Sequence, residues 1–344
     1  MPEEVCLTKF SHGAGCGCKI APNVLEKILH SEIPQFSDSK LLVGYDKKDD
    51  AAVYDIGNGR AIISTTDFFM PIVDDAFDFG RIASANSISD IYAMGGIPLM
   101  AIAILGWPVE KIPAELAQKV LDGARTICAQ AGIPLAGGHS IDSPEPIFGL
   151  AVTGEAAIKN IKKNSTAEKG NKLFLTKPIG VGIITTAHKR GLAEEKDFKE
   201  AVETMSKLNL IGSELGKMDF VKTMTDVTGF GLLGHLIEMC EGSNLSAEID
   251  YSKIPLLKNI SHYVSQMIYP DITFRNWKSY ESKTEGIGTE SLITLCDPQT
   301  SGGLLVSVET AFENEFISFA KKSGLELQSI GVFTDKKQKA VFIL

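Results

Sequence analysis

Ala51-Ala52-Val53-Tyr54-Asp55-Ile56-Gly57-Asn58-Gly59-Arg60-Ala61-Ile62-Ile63-Ser64-Thr65-Thr66 decides the fold class of this chain. Ala51–Ile56 and Arg60–Thr66 are strand-like runs, and the link between them carries the Asn-Gly pair that tight hairpin turns favour. A hairpin is an antiparallel unit. Further along, strand-like runs alternate with helical patterns. Asp78–Met94 reads as a helix stopped by Gly95-Gly96, and Leu99–Leu105 as a buried strand. Pro113–Ala131 places Leu116, Val120, Ala124, Ile127, Cys128 and Ala131 on one helical side, which makes Cys128 core. Ile133–Ala136 and Ile147–Thr153 follow as strands. Hairpins combined with such alternation predict an α+β fold with mixed or antiparallel sheets flanked by helices, not a doubly wound parallel sheet.

A second alternation lies downstream. Lys172–Thr176, Leu304–Val308, Ile330–Phe333 and Ala340–Leu344 read as strands, and Glu200–Leu208, Leu232–Cys240 and Ala311–Lys322 as helices. The polar stretch Lys159–Gly170, with Lys159, Lys162 and Lys163, suits a solvated connection. The expected organisation is an arm over residues 1–46, holding a short helix at Pro22–His30, then an αβ domain over 47–157, a linker over 158–170 and a second αβ domain over 171–344. A chain of 344 residues exceeds one ordinary core.

Composition narrows the function. Hydrophobic residues make up 44% and charged residues 22%, as in globular proteins. A net charge of −9 argues against non-specific binding to nucleic acid or anionic membranes. No apolar run approaches the ~20 residues of a membrane span, and the acidic start Met-Pro-Glu-Glu lacks a signal-peptide core. Six dispersed cysteines are no disulfide framework, so a reducing cytoplasm is expected.

Chemistry concentrates at Ser11-His12-Gly13-Ala14-Gly15-Cys16-Gly17-Cys18-Lys19. Alternating glycines predict a mobile arm able to close over a ligand, and in an extended chain its two thiols share a side. Lys19 favours a thiolate, so Cys16 or Cys18 is a candidate nucleophile or chalcogen carrier. A strained Cys-x-Cys disulfide, or half a metal site with His12, are the competing readings. Acids recur at element ends or within elements: Asp49 and Asp50 before a strand, Asp67 after one, Asp90 in a helix and Asp226 before a glycine turn. Carboxylates without histidines suit magnesium shared with substrate phosphates. Gly137-Gly138-His139-Ser140 and Thr300-Ser301-Gly302-Gly303 read as turns whose N–H groups can meet phosphate oxygens, with His139 as readily a hydrogen-bonded structural residue. No P-loop motif is present. Gly229-Phe230-Gly231-Leu232-Leu233-Gly234 is a literal G-x-G-x-x-G with Asp250 downstream, the one feature of a dinucleotide-binding oxidoreductase.

Taken together, the segments GAGCGCK (13–19), DDAAVYD (49–55), STTDFFMPIV (64–73), SDIYAMGG (89–96), AGGHSID (136–142), MTDVTGFGLLGH (224–235) and CDPQTSGGLL (296–305) resemble the selenophosphate synthetase family over nearly the whole chain. The resemblance implies a two-domain fold of the aminoimidazole ribonucleotide synthetase type, assembled as a homodimer. It implies conversion of ATP, selenide and water into selenophosphate, AMP and phosphate, the selenide being delivered freely or by a protein. By the same resemblance Cys16 is catalytic, Lys19 meets phosphate oxygens, and Asp50, Asp90 and Asp226 bind magnesium. ATP contacts fall on Lys19, Lys47, Lys48, Asp49, Asp67, Asp90, Gly138, His139 and Ser140. The chain departs from the pattern at Asp271-Ile272-Thr273-Phe274-Arg275-Asn276, where many members carry glycines, so a stiffer loop is expected. A sister ATP-dependent synthetase or kinase of the same superfamily is the alternative.

Overall fold

Asn58 and Gly59 both take positive φ, 54° and 71°, and so join two antiparallel strands as their side chains suggest. These lie in a computed structural model that describes residues 5–20, 22–30, 36–44 and 49–344. The first half contains α1 (Pro22–Leu29), β1 (Leu41–Val43), β2 (Ala52–Gly57), β3 (Arg60–Phe69), α2 (Ala76–Ala93), β4 (Ile97–Trp107), α3 (Ala114–Gln130), β5 (Leu135–Asp142) and β6 (Ile147–Ala157). Among the described residues its strands form a sheet ordered β1-β2-β3-β6-β4-β5, antiparallel except for the β4–β5 pair.

The second half contains β7 (Lys172–Leu175), α4 (Val181–Lys189), α5 (Glu195–Ser206), α6 (Ile211–Gly216), β8 (Val221–Asp226), α7 (Gly231–Ser243), β9 (Ser246–Ile249) and α8 (Ile260–Ser265). It continues through α9 (Ile272–Tyr280), β10 (Thr284–Glu285), α10 (Thr289–Leu295), β11 (Leu304–Val308), α11 (Glu313–Lys322), β12 (Gly331–Thr334) and β13 (Val341–Ile343). The sheet order is β10-β13-β9-β12-β7-β11-β8, with parallel pairs at β10–β13–β9 and antiparallel pairs elsewhere. The expected α+β class with two mixed, helix-flanked sheets is therefore observed.

Helix α2 joins the halves. Its N-cap Asp75 accepts the N–H of Asp78, and every residue except Phe77, Asp78, Arg81 and Asp90 is buried. One side packs on the first sheet and α3, while the other meets α5, α6 and β8. A helix enclosed all round can carry polar residues only if they are partnered. Ser87 accordingly donates to the carbonyls of Ala83 and Asp67 and accepts the N–H of Leu150.

Three local expectations are corrected. Leu99–Leu105 is not a wholly buried strand. Ala101 and Ala103 point inward, whereas Leu99, Met100 and Ile102 are exposed, because helices cover only one face of this sheet. Gly137–Ser140 is no turn; it runs inside the exposed edge strand β5, where Ala103 pairs with Gly138. The lysine-rich connection is packed, not solvated: Lys162 is buried and donates to the Met218 carbonyl, and Lys163 to that of Leu42.

Candidate active site

Residues 13–19 are seated between the two halves. Gly15–Cys18 forms one 3-10 turn, not an extended strip, so the thiols of Cys16 and Cys18 do not share a side. Gly15 has φ +50, and a Cβ there would come 2.4 Å from Thr300 Oγ1. Its N–H donates to the Met70 carbonyl at 3.0 Å, and that of Cys16 to Thr300 Oγ1 at 3.0 Å. Gly229 closes the seat from the other side, where an added Cβ would lie 2.5 Å from the Cys16 carbonyl oxygen. Upstream, Thr8 anchors the arm by donating its N–H and hydroxyl to Asp74.

The Cys16 side chain is 1% exposed, and its Sγ donates to Asn86 Oδ1 at 3.2 Å. Burial first, and then Asp67, push this thiol well above its ordinary pKa, although Lys19 pulls the other way. The expectation that Lys19 favours a thiolate is thus corrected: desolvation of the buried sulfur outweighs the nearby ammonium. Lys19 Nζ stands 3.8 Å from Asp67 Oδ2. Burial opposes its charge, but Asp67, Cys16, Asp90 and Asp226 outweigh that cost and raise its pKa, so Lys19 stays cationic.

Carboxylates from both halves face this turn. Asp67 lies within β3, not after it; Asp90 is on α2, Asp50 precedes β2, and Asp226 ends β8. Asn86 Nδ2 donates to Asp67 at 2.5 Å, Thr65 donates to Asp90, and Thr225 Oγ1 reaches across to Asp50 Oδ1 at 2.7 Å. Burial raises the carboxyls of Asp50, Asp90 and Asp226. Asp226 and Asp90 add to the rise at Asp50, and Asp226 and Asp67 to that at Asp90, whereas Ser89 and Lys19 restrain Asp226. Oδ2 of Asp50 and Oδ2 of Asp226 are buried without a hydrogen-bond partner. Two orphaned carboxylate oxygens among like charges are what a hard cation would satisfy. Among the described residues no three Asp, Glu, His or Cys groups close into a ready-made metal cage.

The other expected contacts separate. Lys47 and Lys48 lie outside the described residues. Asp49 Oδ1 accepts the N–H of Asn164 at 2.8 Å. Gly138, His139 and Ser140 are exposed, which corrects the reading of His139 as a structural histidine. Asp67 registers with Leu150, Leu150 with Ala103 and Ala103 with Gly138, so Gly138 sits three strand spacings, roughly 14–15 Å, from Asp67.

Thr300–Gly303 is spent on assembly, not on phosphate. Ser301 N donates to Asn86, and Lys177 Nζ donates to the Ser301 carbonyl at 2.8 Å. Asn209 Nδ2 bridges Ser89 Oγ and the Gly302 carbonyl. The dinucleotide reading of Gly229–Gly234 fails on topology, because β8 is an edge strand paired antiparallel with β11. The residues behind that motif are structural: His235 Nε2 accepts the Thr228 N–H, and burial, with Lys19 second, lowers its pKa to about 3. A zinc site at His12, Cys16 and Cys18 is likewise not formed, since His12 pairs with Glu145 while Cys16 faces Asn86. Asp271–Asn276 is not a loop but the start of α9, from which Asn276 binds the carbonyls of Gly229 and Cys296. Asn86 escaped sequence reasoning. Its signal was a set of polar residues, Ser84, Asn86, Ser87 and Ser89, inside a helix just before Asp90.

A fold of two mixed αβ halves, with a glycine-rich turn over shared carboxylates, defines an enzyme class that the comparisons identify. The sequence matches AIR synthase related protein, N-terminal domain, over residues 48–156, and the corresponding C-terminal domain over 168–343. It is 56% identical over 341 residues to a selenide, water dikinase of Haemophilus influenzae (strain 86-028NP), covering 99% of this chain and 98% of that one. It is also 54% identical over 344 residues to one of Pseudomonas putida, covering 100% of both. Among solved structures, the thiamine-monophosphate kinase of Stenotrophomonas maltophilia shares the fold, with a TM-score of 0.66 and 19% identity over 89% of this chain and 91% of that one. The hydrogenase maturation protein HypE in complex with ATP does so with a TM-score of 0.65 and 14% identity, over 86% and 84%. The chain belongs to the selenide, water dikinases within the AIR synthase related family.

Proposed function

We propose that this enzyme makes selenophosphate from selenide, with ATP and water consumed and AMP and phosphate released. The observation that carries the reading is the convergence of Cys16 and Lys19 with Asp50, Asp67, Asp90 and Asp226 on one buried seam. Relatives matching the full chain carry the same activity in their names.

Asp50, Asp90 and Asp226 would hold magnesium, whose charge would let a triphosphate approach this acidic seam. Lys19, kept cationic by its acidic neighbours, donates to phosphoryl oxygens as they gain charge. Asp67 holds Lys19 in place and, through Asn86, the seat of Cys16. Cys16 would place hydroselenide, itself the nucleophile, beside Lys19 for attack on the phosphoryl group. The cysteine is held in the docked turn as a buried thiol. The docked arm meanwhile keeps water from the seam, and its glycines let it open.

Gly138, His139 and Ser140 belong to the nucleotide site only if a second copy brings β5 to it. The outer face of the first sheet, with Tyr54, Phe68, Ile97, Leu99, Ile102 and Ile141 exposed, supports a homodimer built there.

Phosphorus NMR of the protein with ATP, magnesium and selenide under anaerobic conditions tests the reading. A phosphorus–selenium species and AMP are expected from the native protein. Cys16→Ser should give neither while still binding ATP in calorimetry. Native protein without the P–Se signal, or a serine variant with undiminished turnover, would refute the assignment.

A further inference from the structure

The seated turn divides its surroundings into two regions of opposite charge. On the inner side stand Asp50, Asp67, Asp90 and Asp226, together with Lys19. On the outer side, His12, Gly13, Ala14 and Gly17 form one wall of a groove of about 290 Å³. Lys189 and Arg190 at the end of α4, and Arg275 on α9, form the opposite wall with the hydroxyls of Thr185 and Thr186. All three cations are exposed. Arg190 donates to the Tyr269 carbonyl, and neither Lys189 nor Arg275 is ion-paired among the described residues. One carboxylate, Asp271, lines the groove with them, and Glu145 lies behind His12, to which it is hydrogen-bonded. In a chain of net charge −9, a groove lined by three cations and one carboxylate is a local reversal of sign.

Selenide near neutral pH is the hydroselenide anion, and the inner side repels it twice, through the aspartates and through the nucleotide they serve. A cleft lined by one sign of charge concentrates the opposite ion. The outer wall touches Gly17, the neighbour of Cys16, and consists there of residues with little or no side chain to block a small ion. We propose that this groove receives hydroselenide and leads it to Cys16 from the side opposite the aspartates. The proposal rests on the selenophosphate reading and adds an entry site to it.

The test uses Lys189→Gln with Arg275→Gln in the full-length enzyme, assayed anaerobically at saturating ATP with selenide varied. The KM for selenide should rise about tenfold at low ionic strength, and the salt dependence of kcat/KM should flatten. Calorimetric affinity for ATP with magnesium should stay within about twofold, because the cations lie across the turn from the acids. Lys119→Gln with Lys321→Gln, the same charge change on distant surfaces, should alter neither quantity. A direct readout comes from crystals soaked in iodide, another soft monoanion, where an anomalous peak between Lys189 and Arg275 is expected. Unchanged selenide KM and salt dependence in the groove variant overturn the proposal, as does a groove empty of iodide. If the native enzyme makes no selenophosphate, the functional reading fails, and the iodide experiment still decides whether the groove takes anions.

Discussion

The Cys16 thiol donates to Oδ1 of Asn86 at 3.2 Å, and that oxygen also accepts the Ser301 N–H at 2.7 Å. One buried amide thereby ties the arm to both halves, while its Nδ2 holds Asp67 at 2.5 Å. A group satisfied on both ends inside a dry seam is expensive to lose, because its partners are left without replacements.

Asn86→Ala should therefore loosen the arm. Removing a buried hydrogen-bond hub costs about 1–3 kcal/mol, which corresponds to a rise of roughly 5- to 150-fold in exposure of the thiol. Residue-resolved mass spectrometry of iodoacetamide labelling should show Cys16 modified correspondingly faster. Labelling at the native rate would mean that Asn86 does not hold the thiol.

Gly229→Ala should unseat the same turn sterically, since its Cβ would sit 2.5 Å from the Cys16 carbonyl oxygen. Selenide-dependent AMP formation is expected to fall by about tenfold or more with unchanged circular dichroism. Near-native activity would show that the docked position is not the working one.

Asp50→Asn separates stability from function. Burial, and then Asp226 and Asp90, make an ionised Asp50 costly in the ligand-free protein, and asparagine can still accept from Thr225. Scanning calorimetry at pH 8 should show the ligand-free variant more stable by about 1 kcal/mol. Titration with ATP should show weaker binding in the presence of magnesium and little change without it. Lower stability together with intact magnesium-dependent binding would remove Asp50 from the metal set.

Asp297 should impose a pH dependence on stability. It is fully buried, accepts from Gly182 N and Gln299 Nε2, and burial raises its pKa to about 8. The unfolded carboxyl titrates near ~3.9. Between these values the native protein holds a proton that the unfolded chain has lost. Stability from this group is thus complete below about pH 4 and declines as pH rises toward 8, by at most about 1.4 kcal/mol per unit. Urea denaturation of Asp297→Asn from pH 5 to 8 should show that decline removed; an unaltered slope would place the titration elsewhere.

Local sequence carried a large share of the architecture. Turn chemistry at Asn58-Gly59 and the apolar stripe of α3 act over a few residues, so they were legible without knowledge of distant partners. Glycine was read less well. Gly137-Gly138 resembles a turn, yet it lies within a strand, and the exposure of Leu99 and Ile102 depends on which sheet face the helices cover. The acid set was visible as residue types, whereas Asn86, Thr300 and Lys177 were hidden because their roles arise from partners far away in the chain.

The sequence by itself determined the alternation of elements, the family through its ordered motifs, and the inventory of thiol, lysine and carboxylates. Only the tertiary structure decided that Cys16 is kept as a buried thiol and that acids from both halves share one seam. It alone also placed positive charge on the far side of the turn. The physical reason is that protonation and field depend on burial and on distances between groups hundreds of residues apart, which no local pattern encodes.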